Sequence, residues 1–223
     1  MRRLVLPRLY VILDASLLKQ SETECAAKLV AAGVRLLQYR NKEAGARELL
    51  EKSRAIAELV CPQGVMFFVN DRPDVAYLAG ADGVHVGQHD LGVDAARIVI
   101  GKDKLVGVST HNMEQFSTAA ATSADYIAVG PIFETRTKAN PDPVVGAELL
   151  RRAHAMTDRP IVAIGGITLE RASDIIAAGA DSVAVISDIL LAQEPAERAA
   201  KYIALLEKVP PIKDQNDSDV WLS

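Results

Sequence analysis

Short clusters of amides, acids and bases recur along this chain, each just after an apolar run. They are Gln38-Tyr39-Arg40-Asn41-Lys42, Asn70-Asp71, Gly87-Gln88-His89-Asp90, Ser109, Thr135-Arg136-Thr137-Lys138, Gly165-Gly166 and Ile186-Ser187. Asp71 and Asp90, if brought together, would repel unless a cation sat between them, and a hard oxygen-liking ion such as Mg²⁺ suits a site that also handles phosphates. The same residues could instead serve turns, with Asp71 opening one before Pro73 and Asp90 capping a helix near Val93. Arg40, Lys42 and Lys138 are suited to a highly charged phosphate group, or else are solvated surface charges. Gly165-Gly166-Ile167-Thr168, with Ile186-Ser187, has the form of a phosphate cradle in which backbone N–H groups approach an oxyanion; a plain tight turn is the alternative. Thr135 and Thr137 flank Arg136, where hydroxyls could reach phosphate oxygens and a loop could cover a ligand. His85 and His89 are four apart, but one reads as strand and the other as loop, so a two-histidine zinc face is not expected. His111, just past Ser109, has no assigned role.

The elements that must carry these clusters are short, almost wholly apolar runs at 9–13, 34–39, 66–69, 83–86, 105–108, 126–129, 161–164 and 183–186, as expected of strands buried on both faces. Helical spacing occupies 22–32, 44–60, 73–78, 93–100, 113–122, 146–156, 169–178 and 195–208. Ser21 to Glu24 has capping-box spacing, and Thr168 is expected to cap the helix after the glycine pair. Eight alternations predict a parallel sheet closed as a single-domain (β/α)₈ barrel over residues 1–208. The strand C-termini of such a barrel open on one rim, so the clusters are predicted to converge. A weak repeat puts Asp82, Asp125 and Asp181 at strand entries, on the opposite face, where a structural role is expected. Residues 209–223 are polar and are expected to form a flexible tail, with Trp221 as an anchor.

Composition narrows the partners. The chain has 223 residues, 49% hydrophobic and 24% charged, and its net charge of -4 with dispersed basic residues argues against nucleic acid. Cys25 and Cys61 fit neither a CxxC pair nor metal spacing, so a reducing cytoplasm is the expected home. Pro7, Arg8 and Asp14 interrupt the apolar stretch that an export signal needs, and no run approaches the ~18 residues of a membrane span.

Taken in order, the clusters at 38–42, 70–72, 82–90, 107–109, 130–138 and 164–167 resemble those of the thiamine-phosphate synthase family, from the first strand to the last helix. The resemblance implies a transferase that joins hydroxymethylpyrimidine diphosphate to hydroxyethylthiazole phosphate and releases pyrophosphate. It implies pyrimidine diphosphate contacts from the segment Gln38, Tyr39, Arg40, Asn41, Lys42 and from Asn70, Ser109 and Lys138. It further implies Mg²⁺ ligands in Asp71 and Asp90, and a thiazole phosphate site from Thr135, Arg136, Thr137, Gly166, Ile186 and Ser187. Arg40, Lys42, Ser109 and Lys138 are the residues expected to act in catalysis. Asp188 departs from the family's small residue and would weaken phosphate binding unless it points away. A thiazole tautomerase-like barrel would lack the pyrimidine diphosphate cluster, and a non-catalytic phospholigand-binding regulator would bind without turnover. An epimerase or aldolase would need an acid–base pair or a Schiff-base lysine at a strand end. Small-molecule substrates are the expected partners, in a chain that could also form a homo-oligomer.

Overall fold

The computed structural model describes residues 4–135 and 142–210. Strands β1 (Leu9–Asp14), β2 (Leu36–Arg40), β3 (Met66–Asn70), β4 (Gly83–Val86), β5 (Leu105–Thr110), β6 (Tyr126–Val129), β7 (Ile161–Ile164) and β8 (Ser182–Val185) pair in sequence order. All pairings are parallel, and β8 returns to β1 to close the barrel. Helices α1 (Glu22–Ala31), α2 (Ala46–Val60), α3 (Pro73–Ala79), α4 (Val93–Ile100), α5 (Met113–Ala120), α6 (Gly146–His154), α7 (Leu169–Ala177), α8 (Ser187–Leu190) and α9 (Pro195–Leu206) lie between and after them. Among the described residues no helix is long and apolar enough to cross a membrane.

The elements fall where the apolar runs place them, with instructive exceptions. β2 starts later than its apolar run because Val34 donates its N–H to Leu29 O (3.1 Å), and Gly33 at φ 102° closes the end of α1. Ser21 caps α1 through Glu24 N (3.3 Å). Thr168 stands at the N-cap of α7 without a side-chain bond to its backbone; its hydroxyl bonds Glu170 instead. The four-residue α8 was not anticipated. Val209, assigned by composition to the tail, is tied in place, since its carbonyl accepts from Arg8 and it packs against the outer core. Residues 211–223 lie outside the described residues.

Strand side chains alternate between two cores, as the pleat requires. Val11, Leu37, Tyr39, Phe67, Val84, Val106, Ile127 and Val183 face the helices in the larger cluster. Tyr10, Ile12, Leu36, Phe68, Tyr126, Ala128, Val162 and Ala184 fill the lumen. Room for the large lumen rings comes from glycine: a Cβ on Gly83 would lie 2.4 Å from Phe68 Cε1, and one on Gly107 would lie 2.0 Å from Tyr126 Cζ. At the strand entries the three repeated aspartates do the same work. Asp82, Asp125 and Asp181 accept from the backbone N–H of Phe67 (2.9 Å), Val106 (2.7 Å) and Ile161 (2.8 Å), each on the preceding strand. Each also donates its own N–H to that residue's carbonyl, at 2.8 Å in every case. These acids therefore bolt neighbouring strands together, as their position predicts.

Candidate active site

Lumen parity decides which clustered residues reach the mouth. Along β2, Leu36 belongs to the lumen and Leu37 and Tyr39 to the helix side, so Gln38 and Arg40 point inward. The same alternation turns Asp14, Asn70, His85 and Ser109 inward at the C-terminal ends of β1, β3, β4 and β5. Tyr39, expected among the substrate contacts, instead faces the helices with no exposed surface. Its hydroxyl donates to Glu22 (3.2 Å), and burial pushes its pKa up to about 12. Asn41 also departs from expectation: its Oδ1 accepts from the N–H of Glu43 and Ala44 (3.1 Å each), and its amide donates to Tyr39. It shapes the turn into α2.

Arg40 and Lys42 are both engaged with carboxylates. Arg40 pairs with Asp14, which is 1% exposed and also accepts from the hydroxyl (2.6 Å) and the backbone N–H (3.1 Å) of Ser16. Asp14 was not singled out from sequence; a lone acid ending an apolar strand was the available signal. Lys42 Nζ lies 2.5 Å from Asp71 Oδ2.

Asp71 is the only described non-glycine residue with positive φ, at 63°. Its N–H donates to His85 O (2.7 Å), and this left-handed turn departs from the alternation of β3. Its carboxyl bonds that of Asp90, whose Oδ2 accepts from Gly87 N (2.7 Å). Burial, and next the Asp71 carboxyl, raise the Asp90 pKa above the ordinary carboxylate range. The helix-cap alternative for Asp90 is not what forms, because α4 starts behind Gly92 with no side-chain cap. Two facing carboxylates with a lysine ammonium drawn up to one of them fit a small divalent cation. Among the described residues no group of three or more His, Cys, Asp or Glu that could hold a metal ion assembles.

The other side of the mouth belongs to the exits of β6, β7 and β8. The segment after β6 runs along the end of β7, with Ile132 N bonded to Ile164 O (2.9 Å) and Phe133 N to Gly165 O (3.0 Å). Gly165 and Gly166 have φ of 99° and 62°, and a Cβ on Gly166 would lie 2.3 Å from Glu134 O. Only glycine therefore lets the Phe133-Glu134 backbone come this close to the turn. Arg171 on α7 stacks 4.5 Å over the Phe133 ring and holds the same segment from behind. Ile186 and Ser187 follow β8, the neighbour of β7. Asp188 points away from the mouth: Arg198 donates to both its oxygens (2.9 and 3.0 Å) and Tyr202 to one (2.6 Å). Arg136, Thr137 and Lys138 lie outside the described residues.

The model of the family described as thiamine monophosphate synthase matches residues 9–189. The thiamine-phosphate synthase of Koribacter versatilis is 49% identical over 208 residues, covering 91% of this chain and 97% of that one. That of Chloroflexus aurantiacus is 42% identical over 200 residues, covering 89% and 92%. Among solved structures, the thiamine phosphate pyrophosphorylase of Pyrococcus furiosus superposes with a TM-score of 0.83 at 32% identity, covering 91% of this chain and 96% of that one. With most of its length matched and the same barrel beneath it, this chain belongs to the thiamine monophosphate synthase family.

Proposed function

We propose that the mouth joins 4-amino-2-methyl-5-hydroxymethylpyrimidine diphosphate to 4-methyl-5-(2-hydroxyethyl)thiazole phosphate, giving thiamine phosphate and pyrophosphate. The observation that carries this reading is the meeting of Lys42, Asp71 and Asp90 on one side of a mouth whose other side is the close approach of Glu134 to Gly166. One side suits a diphosphate with its counter-cation, the other a single phosphate.

In this reaction the pyrimidine methylene loses pyrophosphate and the thiazole nitrogen attacks with its own lone pair, so no strong base is needed. The main demands are stabilisation of leaving-group charge and exclusion of water from an electron-poor carbon. Mg²⁺, held by Asp71 and Asp90, would supply charge neutralisation at the diphosphate. Lys42 then moves from Asp71 to a phosphate oxygen, while Arg40, oriented by Asp14, offers its remaining donors to the diphosphate. Gln38, Asn70 and Ser109 orient the ring. The Gly166 backbone and Thr135, with Ile186 and Ser187, hold the thiazole phosphate, joined by Arg136 and Thr137, while Lys138 joins Arg40 and Lys42 at the diphosphate.

The test is incubation with both substrates and Mg²⁺ while pyrophosphate and thiamine phosphate are followed together. Equal amounts of both, lost when either substrate or the metal is omitted, are expected. Pyrophosphate release without coupling, or coupling with the metal stripped out, would overturn the assignment.

A further inference from the structure

Beneath the mouth an unbroken polar chain crosses the lumen. Gln38 Nε2 donates to the Tyr10 hydroxyl (2.9 Å), which lies 3.1 Å from the Tyr126 hydroxyl. The latter lies 2.8 Å from His85 Nδ1, and His85 Nε2 lies 2.8 Å from Ser109 Oγ. The chain joins β2, β1, β6, β4 and β5 and ends on two residues that the reading above gives to the pyrimidine ring. Its middle members are buried, with Tyr10 at 1%, Tyr126 at 0% and His85 at 7% exposure, in an otherwise apolar lumen. The Tyr126 ring also stacks on His85 with centroids 5.6 Å apart.

Hydrogens can be counted along such a chain. Burial raises the pKa of both phenols, so each carries one hydrogen and passes it in one direction. With Gln38 donating to Tyr10, the polarity that gives every hydrogen of the chain a partner has Tyr10 donating to Tyr126, and Tyr126 to His85 Nδ1. In that polarity His85 carries its hydrogen on Nε2 and donates to Ser109, whose own hydrogen is left for a ligand. At the other end the Gln38 amide keeps its oxygen free to accept. The alternative polarity would turn every member, so that Ser109 accepted and Gln38 donated. No member can turn alone without setting two hydrogens, or two lone pairs, against each other inside the barrel.

We propose that Tyr10, Tyr126 and His85 are positioning residues that fix Ser109 as donor and Gln38 as acceptor at the mouth, and thereby select an aminopyrimidine over its 4-oxo analogue. An aminopyrimidine offers a ring-nitrogen lone pair and amino hydrogens, which complement that polarity. The oxo ring offers a carbonyl lone pair and a ring N–H, which need the reverse. The proposal rests on the pyrimidine diphosphate reading for its ligand, but the chain itself can be tested without one.

Long-range nitrogen–proton correlation NMR of the full-length, ligand-free protein should show His85 as the Nε2–H tautomer. An Nδ1–H or doubly protonated ring would overturn the proposal whatever the activity. In kinetics, Tyr126→Phe keeps the ring over Gly107 and removes one hydrogen from the chain. It should lower the preference for the amino over the 4-oxo diphosphate, read as a ratio of kcat/KM, by at least about tenfold. Tyr10→Phe cuts Gln38 off from the rest of the chain and should lower the same ratio; this variant decides the matter should Tyr126→Phe fail to fold. An unchanged ratio in a folded variant means that the chain is structural only. Absence of turnover with either ring in the unaltered protein would count against the pyrimidine reading, and the tautomer would then decide the chain by itself.

Discussion

At the strand entries Asp82, Asp125 and Asp181 each take a backbone N–H from the preceding strand, whereas at the exits Asp71 and Asp90 face one another across a lysine. The acids at the entries are satisfied by groups the fold must contain anyway. Those at the exits are satisfied only in part, and one sits on a left-handed backbone. A carboxylate at the entry therefore acts on stability, and one at the exit is placed for the chemistry proposed above.

The comparison breaks most visibly in turnover. Asp90→Asn should cut the steady-state rate with Mg²⁺ by at least ~100-fold, with no loss in denaturant midpoint; a rate near that of the unaltered enzyme would remove Asp90 from the site. Asp181→Ala is the mirror image. It leaves Ile161 N without its side-chain acceptor and should cost about 1–3 kcal/mol in urea unfolding. Its kcat per folded molecule should not change, and a large fall there would erase the distinction between the rims. Gly166→Ala combines both effects on a smaller scale. A left-handed alanine costs roughly 1 kcal/mol, and its Cβ displaces Glu134 and with it Thr135, so the KM for the thiazole phosphate should rise several-fold. An unaltered KM would detach that turn from the phosphate.

The smallest effect is in pH dependence, and its sign differs between acids. Asp90 has a raised pKa, so the folded chain binds its proton first; its contribution grows as pH falls from that raised value toward 3.8 and is withdrawn as pH rises. Asp74, lowered chiefly by its hydrogen bond from Arg72, contributes above 3.8 and loses that contribution as pH falls through its lowered value. Asp71→Asn removes a repelling neighbour of Asp90 and tolerates positive φ well. The thermal midpoint near neutral pH should rise by a degree or two. A fall would show that the Lys42 pair outweighs the repulsion.

The strands were legible because burial on both faces leaves runs such as 126–129 and 161–164 almost purely apolar. That Asp71, Asp90 and Gly166 stand at strand exits was legible because each closely follows such a run. Tyr39 was misread because adjacency in sequence hides the two-residue alternation of a strand, which sends Gln38 and Arg40 inward and Tyr39 out. Asn41 was absorbed by a turn. Asp14, though an acid ending an apolar strand, went unnoticed because its pairing with Arg40, 26 residues away, is not written in any local pattern. The chain from Gln38 to Ser109 spans five strands, and no local pattern announces it. Tyr10 and Tyr126 read simply as apolar bulk within their strands.

Gly83 and Gly107 stand on the neighbouring strands β4 and β5, Gly83 opposite Leu105 and Gly107 opposite His85. Because neither carries a side chain, Phe68 and Tyr126 lie down across the interior with their rings nearly perpendicular, 5.5 Å between centroids. Below the mouth the two fully buried rings form an aromatic floor. One added methyl at Gly107 would tip that floor upward beneath Ser109, so the depth of the reaction chamber is set by carbon atoms that are missing from its wall.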